Sequence, residues 1–303
     1  MASTESQAPD YAPGDQAKGI MGRARVVGEA VMIRHTLFSL PFAVAAALLE
    51  TGGRPPFMKM LWIVLAATGG RNAANALNRI IDKDIDKRNP RTAGRPLSQG
   101  RVRLAELWAF SAAMLLLLAV SAFMLNPLCA LLLPVAGVMV FGYSYTKRYT
   151  WLCHFWLGAT CAIATMGAFL GIAGRFELRY FALSVAVALW VAGFDIIYAT
   201  QDIDFDRKEG LKSVPARFGA KGARAIALLC HALAAAGFLS VPLFWPLGPA
   251  YLIAAGLAVA LLAAEHVISL GATERHLRIA AYGINEIVPL VLLAGVALEL
   301  YLL

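Results

Sequence analysis

The chain has 303 residues, 59% of them apolar and only 15% charged, with a mean hydropathy of +0.66. Soluble domains carry roughly 25% charged residues, and a water-soluble chain of this length could not hide so much apolar surface. Lipid is therefore the solvent for most of it, in one membrane domain. The net charge of +8 suggests nucleic acid at first sight, but membrane topology accounts for it.

Residues 1–20 are polar, contain Pro9 and Pro13, and read as a disordered cytoplasmic tail that is not a secretory leader. A spanning helix needs about 20 apolar residues. Nine such runs follow, near 30–50, 57–80, 104–125, 127–146, 151–173, 179–201, 224–245, 248–269 and 279–302. With the N-terminus in the cytoplasm, the inside segments receive Lys18, Arg23, Arg25 and Arg34, then seven basic residues from Lys83 to Arg103, then Lys147 and Arg148. They also receive six from Arg207 to Arg224, and finally Arg275 and Arg278. The outside segments hold only Arg54, Lys59, Arg175 and Arg179. This positive-inside bias predicts an all-α, nine-transmembrane-helix bundle over residues 21–303, with the C-terminus outside. Cys129, Cys153, Cys161 and Cys230 lie in apolar runs without metal or disulfide spacing, and read as packing residues.

Seven of the nine aspartates fall in two short segments, each where an apolar run meets an inside loop. In the first, Asn78, Asp82 and Asp86 are spaced i, i+4, i+8 and make one stripe on a helix, continued upward by Asn75 and Arg71. In the second, Asp195, Tyr198, Asp202 and Asp206 share a face. Asp84 and Asp204 point away and read as solvated. Both segments contain Asp-x-Asp-x-Asp, then a basic residue, then a Gly/Pro-containing basic loop, which hints at an internal repeat. Stacked carboxylates at a membrane boundary repel one another and call for a cation. Oxygen donors without His or Cys favour magnesium (Mg2+), and the flanking Lys and Arg suit a diphosphate. A calcium EF-hand is excluded, because Lys87 and Ala93, or Arg207 and Ser213, stand where it needs Gly and Glu. A P-loop and an HExxH are both missing from the sequence.

At these residues the sequence resembles the UbiA superfamily of intramembrane prenyltransferases. The likeness rests on Asn78, Asp82, Asp86, Asp202 and Asp206, and extends to "NPRTAGRPL", "DIIYATQD" and "GLKSVPARFG". "KRYT" and the Arg-Thr-x-x-Arg-Pro-Leu stretch are similar to the 4-hydroxybenzoate polyprenyltransferase branch. "HTLFSLPF" and Glu265-His266 resemble relatives of which some act on a dihydroxynaphthoate for menaquinone. The usual Asn-Gly-aromatic of the last helix is here Asn285-Glu286-Ile287.

The resemblance implies that polyprenyl diphosphate, an aromatic acid and membrane lipid are the partners, in quinone biosynthesis at a bacterial inner membrane, with the active site facing the cytoplasm. Magnesium held by Asn78, Asp82, Asp86, Asp202 and Asp206 would bridge to the diphosphate, and Lys212, Arg148 and Arg79 would hold phosphate oxygens. Tyr198, Tyr145 and Tyr149 are candidates to shield a carbocation. Arg71 lies in mid-helix, where an unpaired guanidinium is expensive. Three uses for it stay open: the acceptor's carboxylate, the diphosphate, or an ion pair with Asp195. Arg34, His35 and Asp195 are further acceptor-site candidates. The alternative of another class is a cation-coupled secondary transporter, which would also use carboxylates and pseudo-repeats.

Overall fold

A computed structural model describes residues 19–32, 36–271, 273, 276–277 and 279–302, and among these all regular structure is helical. In chain order the helices are α1 (Ile20–Ala30), α2 (Thr36–Thr51), α3 (Phe57–Ile81), α4 (Lys83–Arg88), α5 (Leu104–Leu125), α6 (Pro127–Leu131) and α7 (Leu133–Tyr149). They continue with α8 (Cys153–Ala173), α9 (Tyr180–Ala199), α10 (Ile203–Lys208), α11 (Val214–Ser240), α12 (Pro249–Ser269) and α13 (Asn285–Tyr301). A π-helical turn, Ile279–Ile284, leads into α13.

Each of the nine apolar runs corresponds to a helix or, for α6 and α7, a broken pair. By length and composition alone, five among the described residues are long and apolar enough to cross a membrane: α5, α8, α9 with its continuation, α11 and α12. The others fall short for visible reasons. α2, α7 and α13 have 16, 17 and 17 residues, and α3 carries Lys59, Arg71 and Arg79. Leu116, Phe123, Val138, Leu229, Ile253 and Val267 all face outward. Apolar faces of this extent need a lipid solvent, and the chain is an integral membrane protein.

The helices form two groups with α2 between them. α3 packs on α5 and α7, and α8 packs on α7; α9 packs on α11, and α12 on α11 and α13. α2 contacts α3, α8 and α13, and α8 against α9 joins the groups. That last contact depends on Gly158, where an added Cβ would lie 2.1 Å from the Ala188 carbonyl oxygen. With little hydrophobic drive between helices in lipid, such backbone-to-backbone approach is what holds them together. In the second group the Trp190 indole donates to Asn285 Oδ1 at 2.6 Å, and Asn285 Nδ2 donates to the Ala280 carbonyl at 3.1 Å. His231 Nδ1 meets His266 Nε2 at 3.0 Å nearby.

α11 begins ten residues before the apolar run that announced it, at Val214, where Ser213 caps its first turn by accepting from the Ala216 amide. Gly219 interrupts it at φ 69°, ψ 177°, a conformation that glycine alone adopts freely. The leading turn therefore belongs to the polar end of the molecule.

Candidate active site

Asp82 and Asp202 interrupt their helices in the same way. α3 stops at Asp82 (φ −93°, ψ 6°) and the six-residue α4 follows; α9 passes through a single 3-10 turn to Asp202 (φ −103°, ψ 9°), and the six-residue α10 follows. The continuous helix expected through Asn78, Asp82 and Asp86 is thus corrected to a broken one. The stripe survives because the Asp82 amide still donates to Asn78 O at 2.9 Å and the Asp86 amide to Asp82 O at 2.8 Å. Asp84 and Asp204 are exposed, as their place on the helix predicts.

Basic groups surround the acids. Asp82, only 2% exposed, lies 2.7 Å from Lys147 Nζ and 3.0 Å from Arg148, and accepts from Asn78 Nδ2 at 2.8 Å. Arg148 also donates to the carbonyls of Ser144 and Ile81, at 2.7 and 2.9 Å, which fixes the end of α7 against the end of α3. Asp86 pairs with Arg79 at 3.2 Å and with Arg95 at 2.6 Å. Burial pushes the Asp86 carboxyl above the usual carboxylate range, against the pull of Arg79 and Lys147. Asp206 accepts from the Ser213 hydroxyl at 2.8 Å.

The two motifs meet through the segment after α4. Arg91 forks onto both carboxylate oxygens of Asp202, donates to the Tyr198 hydroxyl at 2.8 Å, and lies over the Tyr198 ring at 4.9 Å. Asn89 Nδ2 donates to Asp202 at 2.9 Å. The planar guanidinium suits this double duty, as an ammonium would not. Lys212 sits at the rim, its Nζ on the Tyr149 carbonyl at 3.1 Å and its amide on the Lys147 carbonyl at 2.7 Å. Tyr145 lies beneath Arg148, 5.4 Å away, and both Tyr145 and Tyr149 are exposed.

Asn89, Arg91, Arg95, Ser144 and Ser213 were not singled out from sequence, and Arg91 and Arg95 counted only toward topology. The signal for Asn89, Arg91 and Arg95 was their place in "NPRTAGRPL", and for Ser213 its place in "GLKSVPARFG"; Ser144 had none. The ion pair expected as one option between Arg71 and Asp195 does not form: Asp195 meets His154 Nδ1 at 2.6 Å, and Arg71 donates to Cys161 Sγ at 2.9 Å. Arg71 Nε is buried without a hydrogen-bond partner. This guanidinium lines a cavity of about 320 Å³, with walls that include Ile63 of α3, Leu118 of α5, Leu133 of α7, Ile163 of α8 and Phe181 of α9. Arg34 and His35 lie outside the described residues.

The donor set at the polar end fits a hard divalent cation: carboxylate and amide oxygens, with Asp82 Oδ1 buried against the Arg148 guanidinium at 3.0 Å. Among the described residues no three acids form a ready-made cage. Magnesium does not demand one, because it binds through one or two carboxylates and completes its shell with water and phosphate oxygens.

A helical membrane protein with two acid-and-arginine motifs at one end and an apolar cavity behind a buried guanidinium is the class that fold and site define. The chain belongs to the UbiA prenyltransferase family, whose model matches residues 39–285. It is 35% identical to a 4-hydroxybenzoate octaprenyltransferase of Xanthomonas euvesicatoria, covering 82% of each chain, and 30% identical to one of Vibrio parahaemolyticus, covering 91% of this chain and 94% of that one. A UbiA homologue from Aeropyrum pernix shares the fold with a TM-score of 0.81 and 36% identity, over 88% of this chain and 98% of that one. A UbiA homologue from Archaeoglobus fulgidus bound to GPP and Mg2+ has the same fold, with a TM-score of 0.65 and 19% identity over 90% and 99%. The chain is accordingly an enzyme of prenyl transfer, and the transporter alternative falls away.

Proposed function

We propose that this enzyme transfers a polyprenyl chain from polyprenyl diphosphate to an aromatic acid of the 4-hydroxybenzoate type, in ubiquinone-type quinone biosynthesis. Its active site opens to the cytoplasmic side of the bacterial inner membrane. The observation that carries the acceptor class is Arg71. A guanidinium with a buried, unsatisfied Nε beside apolar walls calls for an anion, and it lies seven residues, about 10 Å of helix, from Asn78 and the acids.

Asn78, Asp82, Asp86, Asp202 and Asp206 would hold magnesium, which supplies charge neutralisation for the departing diphosphate. Arg79, Arg91, Arg95, Lys147, Arg148 and Lys212 hold the diphosphate oxygens and orient the allylic C–O bond. Each acid that gives up a basic partner frees that partner for phosphate, so the local charge stays balanced. The Tyr198 ring, fixed by Arg91, presents a face to the allylic cation. Arg71 pairs the acceptor's carboxylate in the cavity mouth and keeps it apart from the diphosphate.

The test incubates purified protein with geranyl diphosphate and a panel of aromatic acids, with magnesium or with excess EDTA. Metal-dependent prenylation of 4-hydroxybenzoate is the expected result. Preference for dihydroxynaphthoate would move the enzyme to menaquinone synthesis, and preference for a ring without a carboxylate, or full turnover in EDTA, would reject the reading.

A further inference from the structure

His154 is 4% exposed and belongs to no motif, yet its Nδ1 holds Asp195 at 2.6 Å while its Nε2 is buried with no hydrogen-bond partner. Asp195 lies seven residues before Asp202 on α9, about 10 Å deeper in the bundle. Its side chain is 27% exposed, so one oxygen is fixed by the histidine while part of the carboxylate stays accessible. On α8, His154 and Cys161 are seven residues apart and share a stripe. His154 takes Asp195 from α9, and Cys161 takes Arg71 from α3 at 2.9 Å. The stripe thus holds a carboxylate and a guanidinium through two anchors set about 10 Å apart along α8.

We propose that Asp195, oriented by His154, takes the proton lost from the aromatic acceptor, with His154 as the positioning residue. The inference rests on the acceptor reading above. With the carboxylate on Arg71, the phenol hydroxyl and its ortho carbon face Asp195. The allylic C–O bond breaks and its electron pair leaves with the diphosphate; a new bond joins the prenyl C1 to the ring carbon ortho to the hydroxyl. That carbon's proton passes to the Asp195 carboxylate, the C–H pair restores the aromatic ring, and Asp195 later releases the proton to water. His154 prevents the carboxylate from turning toward Arg71, where it would compete with the substrate's own carboxylate. Asn89 and Arg91 play the matching part for Asp202, two turns nearer the cytoplasm.

The test compares wild type with His154→Leu, His154→Asn and Asp195→Asn, using geranyl diphosphate and 4-hydroxybenzoate that is either protiated or ring-deuterated. Leucine removes the bond to Asp195; asparagine places its amide near the position of Nδ1 and keeps a donor there. His154→Leu and Asp195→Asn should lower kcat by about 10²-fold, the usual range for a positioned base, with little change in KM for the diphosphate. In both, the ring-deuterium isotope effect should rise above the wild-type value, because proton loss becomes rate-limiting. His154→Asn should recover most of kcat and the wild-type isotope effect. Losses with an unchanged isotope effect would mean a structural bond between α8 and α9 and overturn the inference, as would a fully active Asp195→Asn. No aromatic product from wild type would overturn the acceptor reading itself, whereas wild-type turnover with unaffected variants would overturn only the role of the pair.

Discussion

Asp82 and Asp84 stand two residues apart on opposite sides of a helix, and Asp204 and Asp206 repeat the arrangement. Asp82→Ala and Asp206→Ala should each cut turnover by at least about 10²-fold, as the loss of a group that stabilises developing charge does. Asp84→Ala and Asp204→Ala should leave it near wild type, because those side chains are exposed. Product formation at saturating substrates is the measurement, and equal losses from all four would break the helical-face argument. Arg71→Ala should raise KM for the aromatic acid by roughly tenfold or more, the worth of a charged hydrogen bond, while KM for the diphosphate stays put. The reverse pattern would assign Arg71 to the diphosphate. These acids and Arg71 were legible in the sequence because they recur at helical spacing. Arg91 was not, because its partner Asp202 is 111 residues away and no periodicity joins them. His154 was equally silent: a lone histidine in an apolar run gives no sign of what faces it.

At the scale of elements, the apolar runs gave the positions of the helices but not where they break. Asp82 and Asp202 stop their helices without Pro or Gly, and the reason is tertiary: Lys147, Arg148 and Arg91 fix the carboxylates from other segments. The start of α11 was missed because Arg217, Gly219, Lys221 and Arg224 separate its first turn from the apolar run, and that turn joins the site through Ser213. The π-helical turn before α13 was equally invisible. Asn285 ties that turn to α9, accepting from the buried Trp190 and donating to Ala280. Asn285→Leu would leave the fully buried Trp190 indole without this acceptor. The expected cost is about 1–3 kcal/mol, the price of one orphaned polar group, read as a lower melting temperature in detergent. An unchanged melting temperature would mean that the indole finds another partner.

At the scale of the whole molecule, the basic residues predict orientation. A reporter fused after Leu303 should lie outside the cytoplasm, and one inserted in the loop between α10 and α11 should lie inside; finding both on one side would remove the nine-span topology. The membrane class and helical architecture were legible from hydropathy alone, since lipid enforces both. The division into two groups was legible only as a repeated aspartate spacing, because contacts such as Gly158 on Ala188 leave no mark in composition.

The cross-link from Arg91 to Asp202 has a further consequence for how the protein is made. Synthesis runs from the N-terminus, and domains form in that order. Asp86 has Arg79 and Arg95 close by in sequence, and Asp82 acquires Lys147 and Arg148 when α7 is complete. All of this precedes the translation of α9. When Asp202 leaves the ribosome, Asn89 and Arg91 already wait at the membrane surface, and His154 has been made ahead of Asp195. The early half of the chain therefore serves the late half as an assembly template, and the second set of acids enters the bilayer boundary with its counter-charge already there.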